Sequence, residues 1–385
     1  MNDEHPSVTY CGNVHAATDL ETWLATLEAY SSPVARGLSR SWPAHREVFG
    51  LGVWWPAPLA RVLATDAVAQ ARAREALAGS GLAVVTANAF PFGDFHQSVV
   101  KASVYRPDWS QGARVDYTLD VARALCALCP PGSTLPISTL PLGFGGGDVA
   151  VMRANLADTA RALAEMADAS GVRCLLALEP EPFCLVESVA EAIACVEATC
   201  LGASDEEVLR RHLGVCVDLC HLAVVGEDPV AAWLRLQRAG VRAPKVQVSS
   251  CLEVRDAGSL SRLLAYDEPR YLHQTVGETA HGARVRALDL GEVATRRAEF
   301  ATCRRVRTHF HVPLFWDEAG GFGSTRDEMA TFLRQLGAPW PLLEAETYTW
   351  SVLPGFAGDA GALVEGLARE LTFLTDCLTL PPGKP

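Results

Sequence analysis

The chain lacks any apolar run long enough to cross a bilayer, which excludes a helical membrane span. It also lacks a leader pattern. Its opening, MNDEHPSVTY, is acidic and polar where a secretory signal needs a cationic start and an apolar stretch, so a soluble, cytoplasmic protein is expected. Positive charge is scarce. Lys and Arg number 33 against 45 Asp and Glu, the formal net charge is -12, and the cations are scattered, so phosphate backbones and anionic lipid would be repelled. Nucleic acid and membrane are accordingly not expected as partners. A secreted disulfide framework is missing too. Most of the 12 cysteines, among them Cys11, Cys174, Cys216 and Cys251, lie inside apolar runs, as free thiols of a reducing compartment would. Cys126 and Cys129 form a C-x-x-C, but within the apolar helical pattern VARALCALC both read as core. No internal repeat stands out, and low complexity is confined to the tail LPPGKP.

What is present is a large apolar fraction, 49% of 385 residues, enough to bury an extensive core. Short β-branched or apolar runs alternate with Ala-, Leu- and Arg-rich helical stretches, the pattern of strand and helix units around a parallel sheet. Eight strands can be placed: SVTYCGNVH, VFGLGVWW, LAVVTANAF, LPISTLPLG, CLLALEPEP, GVCVDLCH, KVQVSS and LLEAETYTW. A helix such as ANLADTARALAEMADASG should stop at Gly171. The expected fold is one α/β domain over residues 1–385, a (β/α)₈ TIM barrel. The interval from Gln247 to Glu346 is too long for one unit, so an insertion of roughly 252–308 is expected between the seventh and eighth strands.

In such a barrel the C-terminal strand ends converge on one open face, where polar side chains read as chemistry. Four consecutive strands end polar, at Glu179, Asp218, Gln247 and Glu346. Any one alone would be an ordinary solvated loop residue. Three crowded carboxylates repel one another unless a divalent cation neutralises them, and oxygen donors suit Mg, Mn or a related ion. Alternation puts Lys245 and Glu344 one layer deeper on neighbouring strands, where an ion pair is expected because an unpaired buried charge is costly.

The series LALEPEP, VDLCH, VQVSS and AETYTW resembles the xylose-isomerase-like TIM barrels, the sugar phosphate isomerase and epimerase superfamily. That resemblance implies one divalent metal ion (Mn, Mg, Co or Zn) held by Glu179, Asp218, Gln247 and Glu346. Epimerases commonly have His as the third ligand, whereas hydroxypyruvate isomerases have Gln in a similar strand. It further implies substrate contacts from His221, three residues after Asp218, and from Arg255. Over nearly the full length, NAFPFGDFH, VYRPDW, LPISTLPLG, YLHQTV, HFHVP and ETYTW are similar to the EboE family of ebo metabolite-traffic clusters. That likeness implies a role in bacterial secondary metabolism, with other ebo-cluster proteins as partners, but no particular reaction.

A divalent ion chelated by adjacent hydroxyl and carbonyl oxygens acidifies the intervening C–H by stabilising an enediolate, and two flanking carboxylates can then move the proton. Glu179 and Glu346 are the expected acid/base pair. The function expected is metal-dependent isomerisation or epimerisation of a small polyhydroxylated or hydroxy-carbonyl compound. A non-catalytic metabolite carrier using the same mouth is the alternative. Phosphoester hydrolysis, as in endonuclease-IV-like barrels, fits less well, because those hold a histidine-rich zinc cluster. His309 and His311 share a face of THFHVPLF, and His273 lies in YLHQTV. They would supply nitrogen ligands or close the substrate pocket, or would merely hydrogen-bond within an added hairpin. Were THFHVPLF the seventh barrel strand, one of them would replace Gln247. Trp54, Phe90 and His96 at the ends of the second and third strands would wall the ligand by stacking, or would simply pack. GFGGGD lacks the Lys and Ser/Thr of a P-loop and reads as a loop over the mouth. An oligomer is allowed, though no surface for it stands out.

Overall fold

The computed structural model describes residues 6–38, 48–317, 321–353, 356 and 358–379, so the first five residues and the tail LPPGKP lie outside the description. Seven strands follow one another around a barrel: β1 (Val8–Tyr10), β2 (Phe49–Trp54), β3 (Leu82–Asn88), β4 (Thr134–Thr139), β5 (Arg173–Leu178), β6 (Leu213–Asp218) and β7 (Lys245–Val248). Four short strands and one longer one intervene before the last barrel strand: β8 (Cys251–Val254), β9 (Thr275–Thr279), β10 (Arg284–Ala287), β11 (Cys303–His311) and β12 (Phe322–Ser324), then β13 (Leu342–Ala345). The barrel order is β1-β13-β7-β6-β5-β4-β3-β2, with parallel pairing throughout. Strands of this kind are covered on both faces, which is why they read as near-continuous apolar runs.

The ring closes differently between its ends. There the backbone N–H of Gly52 on β2 donates to Oγ1 of Thr9 on β1, at 2.9 Å. Helices pack outside the strands, and their limits follow local chemistry. In Val149–Ser170, Asp148 accepts hydrogen bonds from the N–H groups of Ala150 and Val151, and Gly171 ends the helix in the left-handed conformation at φ 73. Among the described residues no helix is long and apolar enough to cross a membrane.

The other five strands form an antiparallel sheet, β10-β9-β11-β8-β12, with an apolar cluster of its own that includes Leu252, Val306, Phe310 and Phe322. The segment expected over 252–308 is continued by the second half of β11 and by β12, because these pair with β8 and not with the barrel. THFHVPLF therefore begins as the end of β11, and KVQVSS forms the seventh barrel strand.

Inside the barrel, Nζ of Lys245 lies 2.7 Å from Oε2 of Glu344, and both side chains are fully buried. Lys245 also donates to Ser138 Oγ at 3.2 Å. Glu344 needs room on the facing strand, and Gly52 leaves it. A Cβ at that position would come 1.9 Å from Glu344 Oε1 and 2.7 Å from the carbonyl of Tyr10. Gly52→Ala is expected to destabilise the chain by about 1–3 kcal/mol through overpacking, visible as a lower midpoint in chemical denaturation. A variant as stable as the parent would show that the strand and Glu344 can yield.

Candidate metal centre and active site

Each polar strand end is fixed by its own backbone. Glu179 continues β5 through its N–H, which donates to the Thr139 carbonyl at 3.0 Å, and Glu346 continues β13 by donating to Val248 at 3.0 Å. Asp218 closes β6 and caps the helix Leu219–Val225. Its Oδ1 accepts from the His221 N–H at 2.9 Å and from Ser249 Oγ at 2.8 Å, while Oδ2 has no partner. One oxygen from each of Glu179, Asp218 and Glu346 lies within 4.8 Å of the other two. Gln247 stands opposite Asp218 in the β6–β7 register, on the same strand face as the inward-pointing Lys245.

Four buried atoms here lack any hydrogen-bond partner: Glu179 Oε2, Asp218 Oδ2 and both amide atoms of Gln247. Such groups are expensive to leave unpaired. Burial first, and then the charges of Glu346 and Asp218, push the Glu179 carboxyl well above its ordinary range. Burial, with Asp218 and Glu344, does the same to Glu346. A divalent cation would satisfy the orphaned oxygens and relieve the repulsion, so the donor set fits an oxygen-liganded metal ion.

Glu346 is held by two amides, one just after β1 and one at the end of β3. Nδ2 of Asn13 and Nδ2 of Asn88 both donate to Glu346 Oε1, at 2.7 and 3.0 Å. Asn88 ends β3, so the strand-end rule that finds Glu179 also finds it, although sequence reading passed it over. Tyr105, Gln274 and Tyr348 were missed as well, having no spacing signal. Tyr105 OH donates to Glu181 Oε1 at 2.5 Å, and Gln274 Nε2 reaches the same oxygen at 3.2 Å. Glu181 is thereby tied to the wall of the site.

A cleft with about 510 Å³ of empty space opens over these groups. Glu179, Glu346, His221, His309, His311 and Phe90 line it, together with Glu181, Asn13, Asn88 and the rings of Phe95, Tyr271 and Tyr348. Three of the residues expected to meet substrate are elsewhere. Trp54 is buried behind the wall, 6.4 Å from the Phe95 ring, with its indole N–H bound to Pro91 O at 3.0 Å. His96 Nε2 is engaged by the Asn13 carbonyl at 2.7 Å. Arg255 sits beyond the end of β8, where its guanidinium pairs with Glu253 and reaches Ser324 O at 3.3 Å. Because the chain turns into the added sheet straight after β7, Arg255 is carried away from the mouth.

His221, His309 and His311 come together, while His273 does not join them: its Nε2 pairs with Glu268 at 2.9 Å and its Nδ1 meets the His309 carbonyl at 3.1 Å. Burial, followed by the neighbouring histidines His221 and His311, drives the His309 pKa well below normal. Burial lowers that of His311 to about 4. GFGGGD packs by its Phe144, stacked on Tyr105 at 4.5 Å, and its Asp148 is a helix cap.

No family model matches the chain, and no curated protein does. Among solved structures, D-psicose 3-epimerase from Clostridium cellulolyticum H10, determined with D-tagatose, aligns over 98% of this chain and 100% of its own at 13% identity, with a TM-score of 0.50. A xylose isomerase domain protein from Alicyclobacillus acidocaldarius subsp. acidocaldarius aligns over 97% and 100% at 14% identity, TM-score 0.49. An IOLI protein with a bound zinc atom aligns over 97% and 100% at 11% identity, TM-score 0.48. The likeness to the epimerase, with the eight parallel strands, establishes a (β/α)₈ TIM barrel. At that identity it establishes the fold alone.

Proposed function

We propose that the chain is a metal-dependent isomerase or epimerase of a small sugar, cyclitol or other hydroxy-carbonyl compound. One observation carries this reading. Three carboxylates converge within 4.8 Å at the C-terminal mouth of a parallel barrel, with Glu179 Oε2, Asp218 Oδ2 and the Gln247 amide buried and unpartnered. Glu179, Asp218, Gln247 and Glu346 would hold one divalent ion. When bound, it would acidify a C–H beside chelated hydroxyl and carbonyl oxygens.

The remaining work falls to the side chains. Glu179 and Glu346 reach the cleft from strands on opposite sides of Asp218 and Gln247, so one can take a proton from the substrate carbon while the other serves its neighbour or its opposite face. Asn13 and Asn88 fix Glu346 by one oxygen and leave the other to act. Phe90, Phe95 and Tyr271 exclude water and offer flat faces to a carbohydrate ring. A setting in ebo-type secondary metabolism, with other proteins of such a cluster as partners, rests on the motif resemblance alone.

The test is deuterium exchange from D₂O into candidate ketoses and cyclitols, with chain stripped by a chelator and with chain reloaded with Mn²⁺. Exchange that requires the metal is expected. Stoichiometric metal and tight ligand binding without exchange would instead identify a carrier.

A further inference from the structure

We propose that Glu370, on the helix Ala360–Thr379 outside the barrel, is a positioning residue that sets the aim of Glu346 into the cleft. That role rests on the isomerase or epimerase reading, and it belongs to a side chain that does not line the cleft. Glu370 is fully buried. Burial pushes its pKa up to about 7, while the hydrogen-bond donors around it pull the other way.

Those donors come from two segments that leave the site. Oε1 accepts from Thr347 Oγ1 at 2.6 Å and from the Leu314 N–H at 3.0 Å, and Oε2 accepts from the Trp350 indole N–H at 3.1 Å. Three donors and no acceptor suit the ionised form. Thr347 directly follows Glu346, and Tyr348, which lines the cleft, lies between Thr347 and Trp350, so the carboxylate grips the chain on both sides of that wall residue. Leu314 comes three residues after His311, just beyond β11. One oxygen therefore joins both segments. They are laced again beside the cleft, where His311 Nδ1 meets the Glu346 carbonyl at 2.7 Å and Thr349 Oγ1 donates to the His311 carbonyl.

The helix face accommodates this contact. A Cβ at Gly366, one turn before Glu370, would stand 2.6 Å from the edge of the Trp350 ring. Gly366 thus admits the ring, and Glu370 takes its N–H. An apolar side chain at 370 would leave three buried donors unpaired, and the segment carrying Glu346 would be free to shift. Small displacements of an acid or base are amplified in rate.

The experiment is Glu370→Gln in the full chain, loaded with saturating Mn²⁺ and assayed at about pH 8 for deuterium exchange into the ketose or cyclitol that the parent turns over best. A fall in kcat of about 10- to 100-fold is expected, with KM changed by less than about threefold. The new amide still accepts through one oxygen but opposes its NH₂ to the Trp350 N–H. Glu370→Gln/Trp350→Phe removes that clash and should regain most of the rate, whereas a side chain that merely supported folding would lose further with the second substitution. Thr347→Val, checked by circular dichroism, serves if Glu370→Gln does not fold, and should act in the same direction. Amide hydrogen exchange of the peptide over residues 343–352 reads the same clamp without substrate: it should be about tenfold faster in Glu370→Gln and restored in the double variant. Unchanged amide exchange, unchanged kcat in an active chain, or a double variant that fails to recover would overturn the assignment. A parent without metal-dependent exchange into substrate would remove the isomerase reading alone, and the amides would still decide whether Glu370 holds Glu346.

Discussion

Glu346→Gln is expected to slow exchange between solvent and the substrate carbon by about 10²- to 10⁴-fold, the usual contribution of a positioned acid or base. The substitution preserves shape, and its amide oxygen can still accept from Asn13 and Asn88, which hold Oε1 at 2.7 and 3.0 Å. What it removes is a group able to take a proton. Glu179→Gln should act in the same direction, since Glu179 follows β5 just as Glu346 follows β13. Metal content must be measured on both variants and exchange followed at saturating metal, so that loss of an ion is not mistaken for loss of a base. Unchanged exchange in both metal-loaded variants would remove these carboxylates from the chemistry.

The largest effect on stability is expected one layer below. Lys245 and Glu344 are fully buried and 2.7 Å apart. Burial alone would lower the lysine pKa, but the charge of Glu344 reverses the shift and keeps the ammonium protonated. Removing one partner strands the other charge in the barrel interior. Lys245→Met should therefore cost about 3–5 kcal/mol, whereas Lys245→Met/Glu344→Leu should recover much of it, because a buried pair replaced by apolar groups of similar volume is often close to neutral. Urea unfolding of the parent and the two variants measures this directly. A single variant within about 1 kcal/mol of the parent would mean that water reaches Glu344 despite its burial.

The barrel was readable because parallel strands covered on both faces leave continuous apolar runs, and all eight runs named from sequence are barrel strands. Position at a strand end was enough to bring Glu179, Asp218 and Glu346 together, and alternation was enough to pair Lys245 with Glu344. The rest depended on where an added element docks. The spacing of His309 and His311 shows that they share a face, but not that β11 turns this face toward His221. Arg255 illustrates the converse error. It follows the seventh strand in sequence, yet Cys251–Val254 already belongs to the second sheet. Of the two outcomes open to Trp54, packing is the one found: it lies against Phe95 and does not line the cleft.

The two amides on Glu346 also bear on how the chain acquires competence. Asn13 and Glu346 are 333 positions apart, and Asn88 and Glu346 are 258 apart. Loop closure on that scale is slow compared with local pairing. A nascent polypeptide can assemble its middle strands early, but the setting of Glu346 matures only when the two extremities of the barrel meet.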